Sequence, residues 1–335
     1  MPESLELPLR LMQLINGFQV TQALHVAVTL RVPDLLADGP RSVDDLARVT
    51  ATHTPTLYRL LRALSAVRVL EERPDRSFAG TPMSELLRSD RPASFAGWAA
   101  YVGRPYHFSA WANLLHSVRT GENAFAALHG ESVWEYRAKH PDESEIFDEA
   151  MTSISRMQTE VLLASFDFGR FRRIADVGGG RGALLAAILE EHPSVEGILF
   201  DQPHVVTGAA EILRGAGVDK RCRVVAGSFF ESVPEADAYV LKRILHDWED
   251  EPAAAILRVI RAAAPKHARV LAIEQLVAPP NQGAPAKFMD LAMLVSAGGR
   301  ERTREEFAAL YASAGFTLAA VHPAGPVQVI EGALA

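Results

Sequence analysis

The 335 residues predict an α/β protein, a doubly wound Rossmann-like domain preceded by an all-helical segment of winged-helix type. Three observations lead there. Up to about residue 165, apolar residues recur at helical spacing. Beyond Arg172, short β-rich apolar runs alternate with helical stretches. The first of those runs ends in "DVGGGRG", with glycine at 178, 179, 180 and 182. The length suits two domains with a helical connector. The expected division is 1–100 for the winged-helix-like part, 101–165 for the connector and 166–335 for the sheet domain.

"LMQLINGFQVTQALHVAVTLRV" repeats apolar residues at helical spacing and reads as a helix that stops before Pro33. It is apolar nearly all round, so it must bury against something, and a second subunit is a natural partner. "SVDDLARVT" opens on a serine cap with acids in its first turn. "TPTLYRLLRALSAVRVL" is a second helix with Pro55 at its opening, and "SFAGTP" reads as a strand of a small wing. Two short helices and a wing make a winged helix, a shape that often grips DNA. From Thr54 to Ala66, however, the would-be recognition helix offers only Arg59 and Arg62, with no Asn or Gln to read bases. A dimerisation scaffold without a nucleic-acid partner is therefore expected.

In the second half "RIADVG", "GILFD", "RVVAGSFF", "AYVLKRIL" and "RVLAIEQLV" read as strands. "ALLAAILEEH", "QPHVVTGAAEILRGAG" and "EPAAAILRVIRAAA" read as helices covering both faces of a parallel sheet.

Composition narrows the function. Apolar content of 48% and charged content of 22% describe an ordinary globular protein. The formal net charge of −7 argues against a nucleic-acid or membrane-surface binder. Cys222 is the single cysteine, which excludes an internal disulfide or a CxxC metal site and fits a reducing cytoplasm, the expected location. The first residues lack a basic opening and a long apolar run, so no signal peptide is expected. No stretch approaches the ~20 apolar residues that span a bilayer.

In a doubly wound sheet, ligands sit at the carboxyl ends of the strands. Glycines there permit a tight turn, and the following helix presents free N–H groups to an anion. Two cofactors compete. Gly178, Gly180 and Ala183 read as GxGxxA, and with Asp201 beyond they fit a nicotinamide dinucleotide. Against that, Asp176 places a carboxylate where a cationic ammonium group could be held, and a pyrophosphate gains nothing from it. A helix-rich partner domain upstream is unusual for a dehydrogenase, and "LKRILHDWEDE" has no counterpart in dinucleotide binders.

The blocks "DVGGGRG", "FDQPHVV", "GSFF", "YVLKRILHDWEDE", "IEQLV" and "DLAMLVSAGGRERTREEFAALYASAGF" resemble the S-adenosylmethionine-dependent O-methyltransferases of plant phenolic and bacterial secondary-metabolite type. The winged-helix N-terminus belongs to the same family, so the resemblance covers nearly the whole chain. It implies a homodimer that binds S-adenosyl-L-methionine and methylates a hydroxylated aromatic molecule. Asp176, with Gly178, Gly179, Gly180 and Gly182, should line the methionine end of that cofactor. Asp201 should bind the ribose hydroxyls, with a helix cap as its other reading. In "GSFF", Phe229 should cover the adenine, with Gly227 and Ser228 beside it. The family usually has Gly-Asp there, and Ser228 lacks the charge assistance of a carboxylate. Lys242 matches a lysine that contacts the cofactor. Arg156 resembles an arginine that reaches the cofactor carboxylate in some bacterial members.

The chemistry needs a base, because a phenol with a pKa of ~10 is mostly protonated at neutral pH. The resemblance implies His246 in that role. Glu274 and Glu301 match the two carboxylates that flank it, one of which fixes the tautomer. Catalysis by positioning alone is the other reading. Asp247 is a substrate-pocket residue or a helix cap. The aromatic-rich run around Trp98–Trp111 suggests His107, Phe108 and Trp111 for a flat acceptor, with Met151 and Met289 as further grips. No metal is implied. A relative that binds the same cofactor for hydroxylation or decarboxylation, and a winged-helix ligand-responsive regulator, are the alternatives.

Overall fold

The computed structural model describes residues 3–91 and 94–335. The chain divides into two compact units: Met1–Ser109 with His140–Ile154, and Ala110–Lys139 with Ser155–Ala335.

In the first unit the long apolar stretch forms two helices, α1 (Glu3–Ile15) and α2 (Gly17–Thr29), rather than one. Asn16 and Gly17 are poor helix formers, and the break falls on them. Pro33 does not end a helix either. It sits in the first turn of α3 (Val32–Leu35), where its missing N–H costs nothing. α4 (Val43–Thr50) starts on the expected cap, with the Ser42 side chain accepting from Asp45 N at 3.1 Å. α5 (Thr54–Ala66) carries Pro55 in its first turn. The wing is a three-stranded antiparallel sheet in which β3 (Ser77–Gly80) lies between β1 (Arg41–Ser42) and β2 (Leu70–Glu72). Only β3 was expected, since β1 is too short for any period and β2 reads as a helix tail. Val32, Leu46, Leu61, Leu64 and Phe78 form the core. α1 exposes Leu7, Leu11, Met12, Leu14 and Ile15, with Leu7 at 74% and Leu14 at 72%.

The second unit holds a seven-stranded sheet in the order β6-β5-β4-β7-β8-β10-β9. Its strands are β4 (Arg173–Val177), β5 (Glu196–Asp201), β6 (Cys222–Ala226), β7 (Ala238–Lys242), β8 (Arg269–Glu274), β9 (Phe316–Ala324) and β10 (Val327–Leu334). The first five run parallel, as expected. The antiparallel β9 and β10 were not read from the pattern, and β10 inserts between β8 and β9. Tyr239 and Leu241 face one core layer with Ile256 and Phe307, while Ala238 and Val240 face the other with Leu185 and Ile188.

Chain order reverses between β4 and β7, the switch point where a crevice opens at the carboxyl ends. Two strands end earlier than their apolar runs. β6 stops before Gly227, and β7 stops because Arg243 turns left-handed at φ 55°. Among the described residues, no helix is long and apolar enough to cross a membrane.

Candidate active site

β4 leads into the glycine loop, and helix Ala183–Glu191 leaves it. Gly178 and Gly180 adopt φ 72° and 61°, a region that L side chains avoid. A Cβ on Gly178 would lie 2.4 Å from the Ile244 side chain and 3.7 Å from Phe229. The loop is tied to the next strand by Asp201, whose Oδ2 accepts from Gly180 N at 2.8 Å and whose Oδ1 accepts from Gln202 N at 2.6 Å. Gly227 N donates to Asp201 O at 3.0 Å, so the ends of β5 and β6 close together. Ser228 Oγ accepts from Phe230 N at 3.3 Å. Phe229 and Phe230 meet Trp248 edge-on, with ring centres 6.2 and 4.8 Å away.

Asp176 and Lys242 end neighbouring strands. Asp176 is buried and its Oδ2 has no partner. Burial pushes its carboxyl up to about 7, with Lys242 opposing and Asp201 adding to the rise. Burial likewise brings Lys242 down to about 7, helped by Arg243 and opposed by Asp176. Lys242 Nζ donates to Ser155 Oγ at 2.7 Å, and Arg156 beside that serine is exposed. An unpaired buried carboxylate next to a glycine turn suits a cationic ligand group.

Four residues beyond Lys242, a 3-10 turn (Leu245–Asp247) carries His246. His246 Nδ1 lies 2.7 Å from Glu301 Oε1 and 3.5 Å from Glu274 Oε2. Nε2 is 3.6 Å from Asp247 Oδ1, too long for a hydrogen bond. Nδ1–H therefore donates to Glu301. The two glutamates divide the work. Glu274 Oε1 accepts from the backbone N of Ile244, Leu245 and His246 at 3.2, 3.1 and 3.4 Å, so it anchors the turn. Desolvation alone would lower the His246 pKa, but Glu274, Asp247 and the bond to Glu301 carry it up to about 9. Burial holds Glu274 up at about 7 and Asp247 at about 6, both opposed by His246.

Supporting residues escaped the sequence reading. Asp290 Oδ1 accepts from Glu301 N at 2.9 Å, next to Met289 on helix Ala284–Ala292. That helix runs on into a π-helical turn, Met293–Ala297, where Asn123 Nδ2 donates to Leu294 O at 2.9 Å. Gly299 passes directly against the catalytic turn, where a Cβ would fall 2.2 Å from His246 O and Asp247 C. Trp248 also went unread, although it follows His246 within the quoted motif.

Of the proposed acceptor residues, Trp111, Asp247 and Met289 belong to the second unit. His107, Phe108 and Met151 belong to the first, where His107 is buried and its ring centre lies 4.5 Å from Tyr101. A cavity of about 620 Å³ in the first unit, lined by Leu36, Pro40, Arg73 and Thr81 among others, gathers none of these residues.

The model of the O-methyltransferase domain matches residues 111–317, and that of the O-methyltransferase dimerisation domain matches residues 12–90. Phenazine O-methyltransferase PhzM of Lysobacter antibioticus is 41% identical over 323 residues, covering 96% of this chain and 94% of that protein. The 8-amino-8-demethylriboflavin N,N-dimethyltransferase of Streptomyces davaonensis is 40% identical over 327 residues, covering 96% and 93%. A crystal structure of an O-methyltransferase from neocarzinostatin biosynthesis, in complex with S-adenosylmethionine and 2-hydroxy-5-methyl naphthoic acid, is similar at TM-score 0.82 and 35% identity. That match covers 94% of this chain and 96% of the other.

The close approach at Gly299 generates a test. Gly299→Ala should lower stability by about 1–3 kcal/mol in a urea titration, because the turn or its neighbour must move to admit the methyl group. An unchanged midpoint would contradict the packing described.

Proposed function

The chain belongs to the O-methyltransferase family, and from that premise we propose that it methylates a hydroxyl of an aromatic small molecule in secondary metabolism, with His246 as general base. S-adenosyl-L-methionine is the cofactor, the molecule carried by the neocarzinostatin relative. When bound, it supplies an electrophilic methyl group on a sulfonium.

The residues present fit that cofactor. The unpartnered oxygen of Asp176 suits the ammonium of the methionine end, alongside Gly178, Gly180 and Lys242. Asp201 keeps lone pairs for ribose hydroxyls, while Gly227, Ser228 and Phe229 border the adenine. Arg156 is assigned to the carboxylate.

One observation carries the catalytic assignment. The Nδ1–Glu301 bond at 2.7 Å fixes the tautomer and leaves Nε2 without a hydrogen bond among the described residues. Nε2 takes the proton of the acceptor hydroxyl as the oxygen becomes nucleophilic. The Glu301 carboxylate then stabilises the imidazolium, and Glu274 holds the turn in place. The donor atoms of His246, Glu274 and Glu301 lie within 4.8 Å of one another, a spacing that could also gather a cation. Glu301 is committed to the ring and one Glu274 oxygen to three N–H groups, so we read a proton relay.

His107, Phe108, Trp111, Met151, Asp247 and Met289 keep the acceptor-binding role on the sequence resemblance alone. The division at residues 100 and 165 remains the functional one. The exposed apolar face of α1 supports a homodimer. The N,N-dimethyltransferase relative favours one second reading, a nitrogen acceptor, and amines belong in the same substrate screen.

His246→Gln should lower kcat by about 10²–10⁴-fold with S-adenosylhomocysteine affinity little changed. EDTA should leave wild-type turnover intact. Near-normal turnover in the variant, or chelator sensitivity, would contradict the relay. Because the folded pKa is raised to about 9, the neutral imidazole accumulates only as pH rises through that value. The kcat/KM profile should therefore climb to a plateau near pH 9, and His246→Gln should lose that limb. At the adenine end, Ser228→Asp should tighten S-adenosylhomocysteine binding through a charge-assisted hydrogen bond. No gain in calorimetry would sink that assignment.

A further inference from the structure

Arg302 follows Glu301 directly and is fully buried, at 0% exposure. A guanidinium removed from water must place its donors on acceptors or lose several kcal/mol. Nη1 donates to Leu245 O at 2.9 Å and Nη2 to Trp248 O at 2.8 Å. Those two carbonyls bracket His246 and Asp247, so the planar fork closes the catalytic turn on itself. Nε donates to Asp250 Oδ1 at 2.9 Å, at the start of helix Asp250–Ala263, and Nη1 also reaches Arg300 O at 3.4 Å.

The backbone of the same residue makes a second tie. Arg302 pairs in parallel with Leu276, and Val277 N donates to Arg302 O at 3.0 Å. That segment continues β8 just past Glu274. One residue thus joins the turn that carries His246, the strand extension beyond Glu274 and the segment that carries Glu301.

We propose that Arg302 is a positioning residue, which sets the register between His246 and Glu301 and thereby the direction of Nε2. The inference rests on the reading of His246 as base. An ion pair for stability alone is a weaker account. Asp250 is 64% exposed, so the pair is open to water on one side and contributes little. What the guanidinium adds is a rigid pair of donors aimed at two carbonyls three residues apart. Lysine offers a point charge without that geometry.

The test is a double-mutant cycle with turnover and S-adenosylhomocysteine affinity measured for each protein. Arg302→Lys should lower kcat about 10–100-fold, the scale of a misplaced reacting group, while affinity changes less than about twofold. In the His246→Gln background the same substitution should add nothing, because the residue acts through the ring that is gone. A wild-type kcat for Arg302→Lys, or a full further loss in the double variant, overturns the proposal and leaves the base reading standing. If His246→Gln alone keeps wild-type turnover, the base reading fails and this inference fails with it. Should Arg302→Lys not fold, Asp250→Asn on the exposed partner decides. It should give a smaller kcat loss that also vanishes in the His246→Gln background, and an undiminished loss there counts against the proposal.

Discussion

The hydrogen bond from His246 Nδ1 to Glu301 Oε1 makes demands that much of the surrounding structure meets. It places an imidazole and three carboxylates in a space closed to water, with Glu274 at 0% and Glu301 at 3% exposure. Buried charge is costly unless every member has partners. The Glu274 carboxylate draws three successive N–H groups, Glu301 N finds Asp290, and Gly299 lets a neighbouring segment approach without a side chain. The low local dielectric that makes the cluster costly also strengthens its grip on the ring proton.

The cofactor end follows the same logic with opposite charge. Asp176 and Lys242 are both buried, and burial drives each toward its neutral form at about 7. Such a pair is poorly satisfied by itself and better satisfied by a ligand that brings charge. Lys242 and His246 are four residues apart in sequence, on either side of the left-handed Arg243. A single strand end therefore serves both the donor and the acceptor chemistry.

Much of this was legible in the sequence. The five parallel strands announced themselves as buried apolar runs, because a strand covered on both faces carries no polar alternation. Ser42 was legible as a cap for the same reason that it works as one. The break at Asn16 was not, since apolar periodicity continues across it and only local propensity marks it. β9 and β10 alternate weakly, and their antiparallel insertion beside β8 depends on tertiary pairing that no local pattern encodes. At the site, His246, Glu274 and Glu301 were found through their motifs, whereas their separate duties were not. Which glutamate holds the ring and which holds the backbone is decided by distances of a few tenths of an ångström. Asp290, Gly299 and Arg302 matter through contacts with residues far away in the chain, and only Arg302 had a sequence signal, its place beside Glu301.

The most direct measurement is a ¹⁵N NMR titration of histidine-labelled protein with S-adenosylhomocysteine bound, assigned through His246→Gln. The account predicts that Nδ1 stays protonated throughout, that Nε2 titrates, and that the transition lies above the ordinary ~6.5, falling when Glu301 is replaced by Gln. A ring with Nδ1 unprotonated, or one titrating near 6.5 regardless of Glu301, would contradict the hydrogen bond on which the catalytic assignment stands.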